Sequence, residues 1–134
     1  MSEAYATVLG FDFGEKRIGI AVGQTVTRTA DPLQSIGHQR QQPNWDAITR
    51  LIDTWAPNAL VVGIPINMDG TEHRLASQVM RFCRQLHGRY HLPVHTFDER
   101  LSSFEAEKRL VELRTASTDA LAAQVILESW LSQP

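Results

Sequence analysis

Three acidic positions stand where an acid is costly. Asp12 lies near the end of the run Val8-Leu9-Gly10-Phe11-Asp12-Phe13, and an unpaired carboxylate among such neighbours loses several kcal/mol of hydration. By strand alternation it shares a face with Val8 and Gly10, while Gly10 and Gly14 leave space for a ligand or another chain to approach. Asp98-Glu99-Arg100 follows a second apolar stretch; adjacent strand side chains point to opposite faces, so only one of Asp98 and Glu99 can look toward Asp12. Asp119 opens the helical course Asp119, Ala122, Ala123, Ile126, Trp130, which aims it at a sheet. Each acid has an ordinary alternative: a turn cap for Asp12, pairing with Arg100 for the second group, and helix-dipole complementarity for Asp119. At the ends of neighbouring elements the three suggest one site. Clustered carboxylates raise one another's pKa unless a cation sits among them, and oxygen donors with no Cys or His at ligand spacing point to Mg²⁺ or Mn²⁺ and away from zinc. Such clusters commonly hold two ions that activate water and stabilise the leaving oxygen in phosphodiester cleavage.

The elements that must position these acids read as α/β. Tyr5 to Phe13 and Arg17 to Gly23 are apolar strands joined by Gly14-Glu15-Lys16 as a hairpin. Ala30 to Ile36 predicts a third strand, confined to an edge by Pro32. Asn44 can cap a helix carrying Ile48, Leu51, Ile52 and Trp55 at helical spacing, with Pro57 stopping it. Ala59 to Ile64 has the continuous apolar character of a central strand covered on both faces. After the turn-rich loop Pro65 to Thr71, the spacing predicts a helix over Thr71 to His87, ended by Gly88. Pro93 to Phe97 predicts another strand, Ser102-Ser103-Phe104-Glu105 a capping box opening a helix to about Arg114, and Thr118 to Trp130 a last helix. Strands first, then helix and strand in alternation, give one layered α/β domain over residues 1–134 with a mixed sheet.

Composition bounds the function. With 13 Lys and Arg against 15 Asp and Glu in 134 residues, the net charge of -2 argues against coating nucleic acid through bulk charge but allows a local basic groove. Lys16, Arg17, Arg74 and Arg100 flank the acids and are the candidate phosphate contacts. The single Cys83 excludes an internal disulfide and favours a reducing, cytoplasmic setting. No apolar run approaches the roughly 18 to 20 residues of a membrane span, and the first residues lack a signal-peptide pattern, so neither secretion nor membrane insertion is expected. His38, His73, His87, His91 and His95 show no paired pattern. His95 shares the face of Glu99 by alternation, which allows a general-base role but fits ordinary packing better. Trp45, Trp55 and Trp130 occupy helical positions suited to packing.

Three segments in order, Asp12-Phe13-Gly14-x-Lys16-Arg17-Ile18-Gly19-Ile20-Ala21-Val22-Gly23, Val62 to Glu72, and Asp98-Glu99-Arg100-Leu101-Ser102, resemble the bacterial YqgF/RuvX family of Holliday-junction resolvase-like or pre-16S rRNA 5′-end nuclease proteins. The resemblance covers nearly the whole chain. It implies an RNase H-like fold, a mixed five-stranded sheet with helices on both faces, and a divalent-metal nuclease site using Mg²⁺ or Mn²⁺. Residue by residue, it implies that Asp12, Glu99 and Asp119 are the catalytic metal ligands, with Asp98 a weaker candidate. It also implies that Asn67 and Thr71, within Asn67-Met68-Asp69-Gly70-Thr71, position a phosphate or order a loop over the site. The chain departs from the family pattern between its last two helices. Only Leu113 to Thr118 lies before Asp119, where a longer connection, often with Lys, is usual.

The expected partners are structured RNA, above all a pre-rRNA 5′ leader, with four-way or branched DNA second. Ribosome-assembly factors are a further partner class, and the chain is expected to be a monomer or weak homodimer without membrane contact. A non-catalytic rRNA-binding module on the same fold is one alternative. Another comes from Asp-x-Gly followed by Gly-Ile-Ala-Val, which also resembles the phosphate loop of actin-like and sugar-kinase ATPases. Those need two such domains, and this chain supplies one. Asp12-Phe13-Gly14 likewise resembles the protein-kinase metal motif, but there is neither length nor a Gly-rich strand loop for a kinase.

Overall fold

The structure, a computed structural model, describes residues 6–101 and 118–133. Five strands, β1 (Thr7–Phe13), β2 (Arg17–Gln24), β3 (Thr29–Gly37), β4 (Ala59–Ile64) and β5 (Val94–Asp98), form one sheet in the order β3-β2-β1-β4-β5. β1, β2 and β3 run as an antiparallel meander, whereas β4 and β5 join parallel to β1 through the helices α1 (Trp45–Trp55) and α2 (Ala76–Tyr90). A third helix, α3 (Thr118–Leu131), crosses β1, β2 and β3 on the opposite face. The mixed sheet with helices on both faces is the arrangement expected from the sequence.

Local chemistry explains the main boundaries. Asn44 caps α1 by accepting from the Ala47 amide at 3.2 Å, and Ala56 closes it in the left-handed region. β4 spans the anticipated residues and is almost wholly buried between its two neighbours. β3 is an edge strand, and the register shift beside the Ala21–Pro32 pair accommodates a residue that has no ladder N–H.

The predicted second helix is corrected at both ends. It starts at Ala76, because residues 66–75 are spent on a loop: Ile66 bridges Glu72, Asp69 accepts from both the amide and hydroxyl of Thr71, and the Leu75 amide donates to His73. It also runs through Gly88 to Tyr90. The last turn is anchored by the Tyr90 hydroxyl against Thr49 at 2.8 Å and by the Arg89 guanidinium 4.1 Å from the Trp45 ring centre, so His91, at φ 55°, takes the terminating role. The capping box at Ser102 and the short connection before Asp119 lie outside the described residues.

Alternation divides the apolar residues into two layers. Leu9, Phe11, Phe13, Ile18, Ile20, Leu60 and Val62 face α1 and α2, where Phe82 meets the rings of Phe11, Phe13 and Trp45 at 5.6, 5.1 and 5.7 Å. Val8, Ala21, Ala59 and Val61 face Ala123, Ile126 and Leu127 of α3. Small residues on this second face bring the helix down onto the strands: a Cβ on Gly10 would come within 2.9 Å of the Leu127 side chain, and one on Gly19 would collide with the Asp119 carbonyl oxygen. Among the described residues, no helix is long and apolar enough to cross a membrane.

Candidate functional site

Asp12 lies near the end of β1 on the α3 face, opposite Gly19 in the hairpin ladder. β5 ends at Asp98, and a single 3-10 turn over Glu99–Leu101 takes Glu99 out of strand alternation. The expectation that only one of the adjacent acids could look toward Asp12 holds, and the acid is Glu99. Its side chain crosses the end of β4, where Gly63 makes space: a Cβ there would sit 2.9 Å from Glu99 Cγ and 3.2 Å from Oε1. The Glu99 and Asp12 carboxyls are joined by a hydrogen bond, which requires that one proton lie between them. Burial, this bond and the charges of Asp12 and Asp98 push the Glu99 pKa up to about 9. Burial also raises Asp12, the hydrogen bond with Glu99 partly opposes that shift, and the Asp119 charge adds to it.

Asp98 turns to Arg100, which grips it with its backbone amide and two guanidinium donors, the closest at 2.7 Å, and holds its carboxyl below the usual range. The ordinary alternative is the observed role of this residue.

Asp119 reaches the site from the first turn of α3. Its Oδ2 accepts from the Ser35 hydroxyl at 2.8 Å, while Ser35 accepts from Arg17 Nε at 2.9 Å; the same guanidinium nitrogen lies 3.6 Å from Oδ2. Ser35, on β3 directly across from Gly19, is absent from the sequence-derived site. Two signals mark it: a hydroxyl on an edge strand, and the pairing of that strand with the one carrying Arg17. His38 is a second omission. Its Nε2 reaches the Gly14 carbonyl at 2.9 Å, its amide donates to the Lys16 carbonyl, and its ring packs on Phe13, so it pins the hairpin turn after Asp12.

Among the described residues, no three His, Cys, Asp or Glu side chains converge closely enough to form a ready-made metal cage. Asp12 and Glu99 are joined, and Asp119 stands off on Ser35 and Arg17. This follows from charge: adjacent acids approach by sharing a proton, and a third seeks donors elsewhere. The available donors are nonetheless suited to a hard divalent cation, being carboxylate oxygens without thiol or imidazole.

The basic residues lie around this end of the sheet. Lys16 is exposed on the hairpin turn, Arg74 pairs with Glu15 at 2.9 Å, and Arg100 lies beside the 67–71 loop, its Nη1 3.9 Å from the Cβ position of Gly70. Asn67 donates to the Thr71 hydroxyl and Glu72 carbonyl, and Thr71 in turn donates to Asp69. Asn67 and Thr71 therefore order the loop from within. His95 packs on Trp130 with ring centres 5.2 Å apart, as ordinary packing anticipates; Trp45 also packs, whereas Trp55 is 37% exposed at the end of α1.

A five-stranded mixed sheet with a meander, two parallel strands and a helix laid across the meander is an RNase H-like architecture, and Asp12, Glu99 and Asp119 stand at one end of it. Residues 6–133 match the family described as "RuvX: Holliday junction resolvase", and the chain belongs to that family. Proteins named "Putative pre-16S rRNA nuclease" from Azotobacter vinelandii and Methylococcus capsulatus are 46% and 47% identical to it, covering 94% and 95% of this chain and 93% and 89% of their own lengths. Among solved structures, Thermus thermophilus RuvC in complex with Holliday junction substrate superposes with a TM-score of 0.61 at 14% identity, and the fowlpox virus Holliday junction resolvase with 0.57 at 12%. These cover 93% of this chain and 93% and 96% of theirs, and establish the shared fold.

Proposed function

We propose that the protein is a divalent-metal-dependent nuclease in which Asp12, Glu99 and Asp119 hold Mg²⁺ or Mn²⁺, and that its substrate is structured RNA at the 5′ end of a pre-16S rRNA. The observation that carries this reading is the proton-sharing Asp12–Glu99 pair. Two acids crowded together with raised pKa values are poised to exchange a proton for a cation. A divalent ion bound there supplies charge neutralisation, an activated water and stabilisation of the leaving oxygen.

The chain's own residues do the positioning. Gly63 and Gly19 thin the floor so that Glu99 and the start of α3 can approach Asp12. Ser35 fixes the free rotation of Asp119, and Arg17 fixes Ser35 while keeping further guanidinium donors for a phosphate. Lys16, Arg74 and Arg100 supply positive charge around the rim, and Asn67 and Thr71 hold the neighbouring loop in shape. The names carried by the relatives support pre-16S rRNA as substrate. The description of the matching family supports four-way DNA as the second candidate substrate, one that would require a symmetric dimer with two sites.

The test compares wild type with Asp12→Asn on an end-labelled pre-16S 5′ leader, unstructured RNA and a four-way DNA junction, with Mg²⁺, Mn²⁺ or chelator. Metal-dependent cleavage of the leader, reduced by roughly 10³-fold or more in the variant, is expected. Cleavage of the junction alone moves the substrate to DNA. Binding without cleavage by wild type overturns the nuclease reading in favour of an rRNA-binding or ribosome-assembly module.

A further inference from the structure

The opposite side of the β1 end carries a feature that the carboxylate site does not use. α2 contains no acidic residue in its 15 positions and carries Arg81, Arg84 and Arg89, in a chain whose net charge is -2. Arg74, Gln78, Arg81 and Gln85 succeed one another at i, i+4, i+7 and i+11, which lays them along one stripe from just before the helix down its side. Facing this stripe is a tight turn in which Gln39 and Gln42 exchange backbone hydrogen bonds of 2.7 and 2.9 Å. Its central residues, Arg40 and Gln41, stand at φ 51° and 64°, in the left-handed region where such a turn ordinarily places Asn-Gly. Two long polar side chains at strained positions point to a use for those side chains.

Between stripe and turn runs an open groove of about 550 Å³, walled by Arg40, Gln41, Gln78, Arg81 and Gln85. Among the described residues, its one acidic lining residue, Glu15, is paired with Arg74 at 2.9 Å. The groove begins where the carboxylate site ends. Asp12 and Phe13 are consecutive and face opposite sides of the sheet; Phe13 lines the groove, and Glu15 forms the rim between them.

We infer that this groove is the path of the nucleic-acid substrate's sugar–phosphate backbone beyond the scissile bond. The guanidinium groups of Arg40 and Arg81 meet phosphate oxygens, while the glutamine amides, which donate and accept, meet phosphates, 2′-hydroxyls and unpaired base edges. The interleaving of amides with the two guanidinium groups argues for such a strand over an acidic polypeptide, because 2′-hydroxyls and base edges beside each phosphate give the amides donors and acceptors that a run of carboxylates does not. The inference rests on the proposed nuclease reading and deepens it by assigning a second contact region.

The test separates the two. Binding of a labelled, structured pre-16S leader RNA is titrated against salt in chelator for wild type, Arg40→Gln/Arg81→Gln, and the control Arg50→Gln on α1, with thermal melting confirming the fold of each. The double variant is expected to bind roughly tenfold more weakly at physiological salt, with the log–log salt slope reduced by about 1.5 to 2, while the control matches wild type. In metal, its KM should rise with kcat retained. Unchanged affinity and slope in the double variant overturn the groove whether or not wild type cleaves, as does a loss confined to binding of polyglutamate. Groove-dependent RNA binding by a wild type that cleaves nothing supports the groove and overturns the nuclease reading alone.

Discussion

The two faces of the sheet are built from alternate residues of the same strands, yet they solve opposite problems. Toward α1 and α2 the strands present Phe11, Ile18, Ile20, Leu60 and Val62, and the space fills with bulk around Phe82. Toward α3 they present Gly10, Gly19, Gly23 and Gly63 with Ala21 and Ala59, and the space is filled by bringing helix and acid side chains close to the strands. The thick face derives its strength from buried apolar area. The thin face gains proximity, and it carries all three candidate ligands. Stability and chemistry are thereby weighted to different sides of one sheet, so a change on the thick face should act chiefly on stability and one on the thin face chiefly on cleavage.

The most severe test of that division is Phe82→Ala. It opens a cavity on the thick face and is expected to cost about 3 to 5 kcal/mol in denaturant unfolding, while cleavage per folded molecule stays near wild type. Loss of cleavage in the folded variant would mean that the faces are coupled. Gly19→Ala should shift the balance the other way: its Cβ has no room beneath the Asp119 backbone, so α3 must lift, at a smaller cost of about 1 to 3 kcal/mol but with most cleavage lost even in fully folded protein.

Acidity sharpens the contrast. The Glu99 pKa is raised from 4.5 to about 9, so the metal-free folded chain binds more protons than the unfolded chain between those values. Its stability must therefore fall as pH rises through that window, with the favourable contribution complete only below it. Near pH 7, Glu99→Gln is expected to exceed wild type by about 2 kcal/mol in chelator, a difference that thermal melts across pH would reveal and that millimolar Mg²⁺ should narrow. A wild-type melting temperature flat across the same range would remove the buried-acid account. The smallest effect is reserved for Ser35→Ala. Loss of the hydroxyl between Arg17 and Asp119 should cost about 1 kcal/mol or less in this partly exposed setting, with roughly tenfold slower cleavage measured at limiting metal.

Much of this was legible because local rules carried it. The hairpin, the Asn44 cap, the edge placement of β3 and the limits of β4 all follow from residue type and alternation within a few positions. The limits of α2 were not, since loop hydrogen bonds from Asp69 and His73 outcompete the first helical turn and the contacts of Arg89 and Tyr90 carry the helix past Gly88. At the site, acids on apolar strands drew the eye to Asp12 and Glu99, which the fold brings into contact. Ser35 stayed hidden, because its meaning depends on a cross-strand partner and a helix 84 positions away.

Gly19 has one further consequence. It is the ladder partner of Asp12 and also the floor beneath the Asp119 backbone. The separation of two of the acids is thus gauged across a single rung of the sheet, with the stiffness of paired strands in place of loop freedom. The smallest register slip that keeps the same face inward is two residues, roughly 7 Å, so the gauge admits no near misses: the rung is either seated and both acids are in range, or the site is absent.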